Sequence, residues 1–304
     1  MFIFAAILAH FLTASASVLD KFLISSRRIQ HPSVYTFMVG FFSVFTLLIF
    51  FPLGFHLVGW IYGLEMIVFG AVFIFGLLLL FSTFQNNEAS RVVPVVGSTT
   101  TLVSLLISIV FFDDFVGWER IVGIGCLLFG GFLVSLKLSK KEIKGIFSGF
   151  HLAVLSGFFL GVAYSAFKYF YASDGFINVF IWTRLGVFFG ALSLLLVPDW
   201  RREVFGYLRE FKRSKKRSLA TGAIFISNKI LAGTGSIVFN WALSLGSVSV
   251  ANALVATEYV FVFVLSALLS LKFPKIFQEK NRSWEIVQKV SAICIIGVGV
   301  WLAG

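Results

Sequence analysis

Charged residues, cysteine and proline are all scarce in this chain of 304 residues. Only 13% of the residues are charged, about half the share of an average soluble domain. The two cysteines, Cys126 and Cys294, both lie in apolar stretches, which excludes the disulfide framework of small secreted proteins. Hydrophobic residues make up 59% of the chain, with 39 phenylalanines, more than the core of a soluble domain of this size can bury. The sequence therefore indicates an all-α polytopic membrane protein.

Motifs for catalysis and nucleotide binding are missing as well. The sequence contains no G-x-x-x-x-G-K-[ST], no G-x-G-x-x-G and no H-E-x-x-H, the patterns of phosphate cradles, dinucleotide sites and zinc proteases. We therefore expect no enzymatic activity, no metal site and no cofactor.

Ten apolar runs follow one another along the chain. A helical span requires about 20 apolar residues, so ten spans with short loops use roughly 300 residues. The predicted segments cover residues 2–24, 33–53, 60–84, 89–112, 117–137, 146–170, 176–198, 219–245, 248–272 and 285–303.

Lys and Arg residues are concentrated on one side of the predicted membrane. This side, called the basic side below, holds the loops that join segments one to two, three to four, five to six, seven to eight and nine to ten. It contains most of the 25 Lys and Arg residues, whereas the opposite side has only Arg120 and Lys168, near the ends of their segments. Because positively charged loops stay in the cytoplasm, we predict a protein of the cell membrane with both termini extracytoplasmic.

The longest basic loop, residues 201–217, carries apolar residues at near-helical spacing. They are Trp200, Val204, Phe205, Leu208 and Phe211. This pattern predicts a short basic amphipathic helix on anionic lipid headgroups. Nucleic-acid binding is the competing interpretation of the basic run, but the positive-inside rule already explains such a loop beside a membrane. We therefore expect membrane lipid, and no nucleic acid, as a partner.

The fourth and ninth segments are similar to each other at a constant offset. Their identical pairs are Ala89/Ala251, Val93/Val255, Ser104/Ser266, Leu106/Leu268, Ser108/Ser270 and Phe111/Phe273. In the segments that follow, Trp118-Glu119 recurs as Trp284-Glu285. The matches indicate an internal repeat.

The repeat predicts two five-helix halves, residues 1–137 and 146–304, joined by a linker at 138–145. Because five is odd, the second half enters the membrane from the opposite side. The halves are then inverted repeats, an arrangement typical of transporters that work by alternating access.

Three stretches carry a resemblance to a known family. They are Ala89-Ser-Arg-Val-Val-Pro94, Glu119-Arg-Ile-Val-Gly123 with Gly130-Gly131, and Ile181-Trp-Thr-Arg184. Together with the 5+5 repeat, they make the chain resemble the drug/metabolite transporter superfamily, specifically its EamA-like ten-helix members. The resemblance implies secondary transport of small metabolites, drugs or amino acids, often export driven by exchange or protons. It also implies a cavity lined by helices one, three, four, six, eight and nine.

The chain departs from the family in two respects. Members usually keep both termini in the cytoplasm, whereas the charge distribution here predicts the reverse. Ala256 also stands in the ninth segment where the fourth has Pro94.

Four ionisable residues lie near the middle of predicted spans: His10, Arg184, Lys229 and Glu258. Such a group costs about 2.5–3.5 kcal/mol on insertion scales, so each requires a partner or an aqueous cavity. Lys229 and Glu258 lie at similar depth, and two interpretations are open. They form an ion pair that locks helices eight and nine, or they border the cavity and exchange partners with substrate or a proton.

The balance of these charges favours an anionic or zwitterionic small-molecule substrate. Arg184 and Lys229 against Glu258 leave one excess positive charge, which a carboxylate or phosphate would balance. Arg184 also fits an anchor of the seventh helix, and His10 fits either helix packing or proton coupling. Polar residues expected to line the cavity, or to join helices by hydrogen bonds, are Ser17, Thr100, Tyr164, Asn228, Asn240 and Asn252.

Local patterns add further expectations. Gly157 and Gly161 predict a close helix contact, and the glycines of helices five and ten predict a tightly packed pair or the seam of a homodimer. Gly233-Thr-Gly235 predicts an interruption of helix eight, and residues 85–88 a solvated turn.

The function that the sequence predicts is secondary active transport, as exporter or exchanger, of a small polar metabolite or amino acid. A lipid or lipid-headgroup flippase of the same fold is the alternative.

Overall fold

The computed structural model describes residues 2–26, 28–29, 31–112, 117–138, 143–213, 215–245, 248–277 and 283–303. Among these residues ten helical spans are long and apolar enough to cross a membrane, which confirms the predicted multi-pass architecture. The elements are α1 (Phe2–Ser25), α2 (Pro32–Ser43), α3 (Phe45–Gly54), α4 (Trp60–Phe84), α5 (Ala89–Phe112), α6 (Trp118–Ser135), β1 (Leu136–Leu138), β2 (Ile143–Ile146), α7 (Phe150–Asp174), α8 (Phe176–Ser193), α9 (Pro198–Arg213), α10 (Lys215–Leu245), α11 (Val248–Lys272), α12 (Pro274–Phe277) and α13 (Ser283–Ala303).

The second predicted segment is divided between α2 and α3. The hydroxyls of Ser43 and Thr46 donate to the carbonyl oxygens of Gly40 and Ser43, each at 2.6 Å. Bonds of this kind from a side chain to the preceding turn bend helices. The two helices together still form one span, Pro32–Gly54.

Both ends of the predicted linker, at residues 138 and 143–145, belong to two short paired strands. β1 and β2 are antiparallel, with Leu136 paired to Ile146. As a result α6 ends at Ser135 and α7 begins at Phe150, so both helices are shorter at this junction than the hydrophobic runs predict.

The spanning helices form two groups joined by α5. In one group α4 packs against α2, α7 and α8, and in the other α1 packs along both α10 and α11 while α13 packs on α6 and α11. α5 contacts α7 on one side and α6, α11 and α13 on the other. Large apolar side chains such as Leu48, Val110 and Leu268 are exposed, as expected of a surface that meets lipid.

Small residues set the closest helix contacts. A Cβ added at Gly157 would lie 2.6 Å from the Val96 carbonyl oxygen of α5, and one at Gly130 would lie 2.6 Å from Ile296 of α13. The predicted packing of the sixth helix and of the five–ten pair is therefore confirmed. The predicted interruption at Gly233 is wrong, since α10 continues through it as one helix. Glycine does not by itself interrupt a helix, because the i→i−4 hydrogen bonds join backbone atoms only.

We expect two glycine substitutions to have opposite effects on stability. A Cβ at Gly70 would lie 2.3 Å from the Thr183 carbonyl oxygen, where α4 crosses α8, whereas one at Gly233 meets no atom within 4 Å. Gly70→Ala should therefore cost on the order of 1–3 kcal/mol through overpacking. Gly233→Ala should leave the free energy of unfolding unchanged or raise it by roughly 0.5–1 kcal/mol, because alanine loses less conformational entropy than glycine when the helix forms. Thermal unfolding of the two variants in the same detergent measures the difference. Equal melting temperatures would contradict the close contact between α4 and α8.

Candidate functional site

The predicted ion pair between Lys229 and Glu258 is wrong, because each residue has another partner. Lys229 Nζ lies 3.0 Å from Asp20 Oδ1, and Glu258 Oε2 lies 3.4 Å from His10 Nδ1. Both partners belong to α1, which packs along α10 and α11 together. α10 and α11 follow each other in the sequence, but α1 packs against both of them and supplies the polar partners of Lys229 and Glu258.

Asp20, Tyr35, Asn228 and Lys229 form a group that we call the Asp20 cluster. Tyr35 Oη, Asn228 Nδ2 and Lys229 Nζ all donate to Asp20 Oδ1. Asn228 Nδ2 also lies 3.1 Å from Tyr35 Oη. The cluster joins α1, α2 and α10, which fits the lock interpretation of Lys229 with Asp20 in place of Glu258.

Aromatic rings surround the ammonium group of Lys229. It lies 5.1 Å from the ring centroid of Tyr35, 5.9 Å from that of Phe81 and 5.6 Å from that of Phe225. Cation–π attraction adds to the Asp20 pairing at such distances. Next to Asp20, Lys21 donates to the Phe84 carbonyl oxygen at 2.5 Å, so the end of α1 is bonded to α4 as well.

The His10–Glu258 pair lies nearer the middle of α1 than the Asp20 cluster does. The His10 ring is buried against Phe239, with centroids 5.1 Å apart. Its Nε2 atom is buried and has no hydrogen-bond partner among the described residues. Glu258 is partly exposed, with 16% of its side-chain surface accessible.

Tyr164, Arg184 and Glu258 form a group of ionisable residues contributed by three helices. Tyr164 on α7 is within electrostatic range of Arg184 on α8 and of Glu258 on α11. The Tyr164 side chain is 49% exposed, and Arg184 and Glu258 are partly exposed. The group therefore has a cationic and an anionic residue on different helices.

Arg184 has no carboxylate within 4.0 Å among the residues that the structure describes. Its guanidinium lies over the Phe180 ring, 4.5 Å from the centroid, and the phenols of Tyr171 and Tyr164 lie near it. A cation in a membrane span is costly without a counter-ion. An anionic group bound beside Arg184 would supply the missing partner, with the paired hydrogen bonds that guanidinium favours.

The side chains of two other predicted residues, Thr100 and Ser17, are described, and those of two more are not. Thr100 Oγ1 donates to the Val96 carbonyl oxygen at 2.8 Å and lies 3.2 Å from that of Gly157. It thus joins α5 to α7 by a hydrogen bond. Ser17 is half-buried on α1. The side chains of Asn240 and Asn252 lie outside the described residues.

A second buried ionic group, the Glu88 cluster, was missed in the sequence. Glu88 Oε2 lies 2.8 Å from Arg91 Nε and 2.7 Å from Lys289 Nζ, and Arg91 Nη2 lies 3.4 Å from Glu285 Oε2. Arg91 is only 2% exposed and Lys289 only 1%. The predicted solvated turn at residues 85–88 is therefore wrong at Glu88, because α13 covers it.

The Glu88 cluster joins α5, α6, β1 and α13 on the basic side. Arg91 Nη1 also donates to the carbonyl oxygens of Val134 at 3.1 Å and Leu136 at 2.5 Å, which holds the end of α6 to α5 and α13. Burial raises the pKa of the Glu88 carboxyl, but Lys289 and Arg91 outweigh that effect and leave the pKa below its ordinary value. The i, i+3 spacing of Glu88 and Arg91 is the one signal of this cluster in the sequence.

Comparisons with known proteins bear on the fold only. No family model matches the chain, and no curated protein matches it. Nineteen chains of solved structures are similar. One of them, described only as "Crystal structure of protein", matches over 98% of this chain and 96% of that chain, with a TM-score of 0.56 and 16% identity. The whole chain thus shares its overall fold with a known structure.

Proposed function

We propose that the protein is a secondary active transporter of a small anionic or zwitterionic metabolite. The observation that carries this proposal is the position of Tyr164 within electrostatic range of both Arg184, which has no carboxylate partner among the described residues, and the partly exposed Glu258. Arg184 would bind a substrate carboxylate or phosphate, and Glu258 would bind an ammonium group.

The cost of Arg184 supports a functional role. An arginine near the centre of a span costs at least about 2.5–3.5 kcal/mol on insertion scales. Asp20 and Glu88 offset such a cost for their own cations, whereas no described carboxylate does so for Arg184. Ionisable residues that face a bundle interior commonly belong to a substrate or ion pathway.

The pattern of helix neighbours supports two inverted repeats, residues 1–137 and 146–304. Exchanging the halves converts α1, α2, α4, α5 and α6 into α7, α8, α10, α11 and α13. The contact of α1 with α10 then becomes that of α7 with α4, and the contact of α1 with α11 becomes that of α7 with α5; all four exist. The contacts α2–α8, α5–α11 and α6–α13 convert into themselves. Such a two-fold relation allows alternating access around a midplane site.

The charge distribution sets the proposed orientation. With the basic side in the cytoplasm of a cell membrane, both termini are extracytoplasmic. The Asp20 and Glu88 clusters then lie toward the cytoplasm.

A ligand screen on the purified protein tests this function. Amino acids, organic acids, phosphate esters, polyamines and lipid headgroups are added in turn, and thermal unfolding is followed. A ligand at about 100 times its dissociation constant adds roughly 2.7 kcal/mol of stability, and we expect a small carboxylate or phosphate compound to give this shift. The compound should then exchange across proteoliposomes. Stabilisation by lipids alone would contradict the proposal and favour a flippase.

A further inference from the structure

α9 connects two membrane-spanning segments on the basic side. The span before it ends at Leu196 and the span after it begins at Leu219. Both of these leucines are exposed, as side chains at a lipid-facing surface are. α9 is therefore attached at each end to chain that emerges from the bilayer, and it lies at the membrane surface.

One face of α9 packs on the protein. Val204 is buried, and Trp200 and Tyr207 are half-buried on the same face. Glu203, at the edge of this face, lies 2.9 Å from His31 Nδ1 and accepts a hydrogen bond from Ser33. These contacts fix α9 to the beginning of α2 and determine which way its other faces point.

A second face combines arginine with large apolar side chains. Arg201, Phe205, Leu208 and Arg209 follow the i, i+4, i+7, i+8 spacing of one helix face. All four are exposed, Phe205 by 48% and Leu208 by 41%. The sequence predicted a single apolar face, and the structure divides it: Trp200 and Val204 meet protein, whereas Phe205 and Leu208 do not. The side chain of Phe211 lies outside the described residues.

The acidic residues of α9 lie on a third face. Asp199 and Glu210 are exposed there, with Gly206 between them. Arg202, at the border, lies 3.7 Å from Asp199. The helix thus separates its carboxylates from the face of Arg201, Phe205, Leu208 and Arg209.

We propose that this second face of α9 binds anionic phospholipid in the leaflet on the basic side. Phe205 and Leu208 would enter the layer below the headgroups, while Arg201 and Arg209 bond to lipid phosphates. An anionic bilayer matches both the apolar and the positive character of the face, and the attachment of α9 at both ends places it there. The carboxylates on the third face stay in water, away from the lipid charge. This surface is separate from Arg184 and Glu258 and does not depend on the identity of the proposed substrate.

A fluorescent label beside the face measures this binding. The label is placed at Gly206→Cys in a Cys126→Ala/Cys294→Ala background, since a Cβ at Gly206 meets no atom within 4 Å. The protein is reconstituted in vesicles that contain a brominated lipid, either phosphatidylglycerol or phosphatidylcholine, as quencher. We expect stronger quenching by brominated phosphatidylglycerol. Each of Arg201→Gln and Arg209→Gln should reduce that preference about fivefold.

Matched variants separate lipid binding from a general change of charge. Lys168→Gln removes one positive charge on the opposite side of the membrane, where Lys168 is exposed, and should leave the preference intact. Phe205→Ser with Leu208→Ser should lower quenching by both lipids, because the helix no longer enters the bilayer. Equal quenching by the two lipids in the parent, or an unchanged preference after both arginine substitutions, would overturn the proposal. Either result would instead favour a protein or nucleic-acid partner for this face of α9.

Discussion

Replacing Arg184 with glutamine is expected to weaken binding of the proposed substrate by about 10- to 150-fold. That range corresponds to the loss of hydrogen bonds to a charged group, roughly 1.5–3 kcal/mol. The effect should be large because Arg184 has no described carboxylate that could compete with the substrate. Titration of the ligand found by the screen, followed by calorimetry or thermal unfolding, gives the dissociation constant.

The replacement with lysine refines this experiment. Arg184→Lys keeps the positive charge but loses the planar pair of donors that fits a carboxylate. We therefore expect its affinity to fall between that of the parent and that of Arg184→Gln. Glu258→Gln should weaken binding of compounds that carry an ammonium group and should change binding of simple acids little.

Lys229→Met is the control for Arg184. Lys229 pairs with Asp20 and lies among aromatic rings, so its loss should lower stability while the folded fraction keeps its affinity. A dissociation constant for Arg184→Gln within twofold of the parent would contradict a substrate site at Arg184. If Lys229→Met instead lost affinity, the binding site would have to include the Asp20 cluster.

Glu88→Gln is expected to reduce the free energy of unfolding by about 3–5 kcal/mol, the usual cost of removing one partner from a buried ion pair. The substitution leaves Arg91 and Lys289 facing a neutral amide, while Glu285 can pair with only part of that charge. Both cations are almost fully buried and cannot turn to water. Thermal or denaturant unfolding in one detergent measures the loss.

Glu119→Gln provides the matched control. Glu119 follows Trp118 at the beginning of α6, as Glu285 follows Trp284 at the beginning of α13, but Glu119 is exposed. We expect its replacement to change stability by less than about 0.5 kcal/mol. A second variant, Glu88→Gln with Lys289→Met, should recover part of the stability because it removes a buried charge that has lost its Glu88 carboxylate. If Glu88→Gln and Glu119→Gln were equally stable, the Glu88 cluster would not be a stabilising element.

The pH dependence of the Glu88 contribution follows from its lowered pKa. A carboxyl whose pKa is lower in the folded state stabilises the protein fully above its ordinary pKa, which is 4.5 for this group, and loses that contribution as pH falls through the folded value. The stability difference between the parent and Glu88→Gln should thus be constant from pH 7 down to about 4.5. It should shrink at lower pH.

The sequence by itself determined the ten spans and the presence of α9. A bilayer requires about 20 apolar residues for each helix and satisfied backbone hydrogen bonds throughout, so hydrophobic runs translate directly into helices. The glycine motif of α7 likewise predicted a close contact, because small residues let helix backbones approach. These features depend on the composition of short stretches of the chain, which can be read directly along the sequence.

Only the tertiary structure decided which polar residues meet. Lys229 pairs with Asp20 because α1 lies against both α10 and α11, an order of helices that segment spacing does not contain. Glu88 meets Lys289 because α13 covers the turn before α5. In both cases the partners are about 200 residues apart, and a charge in an apolar span takes whichever counter-charge the packing brings near it.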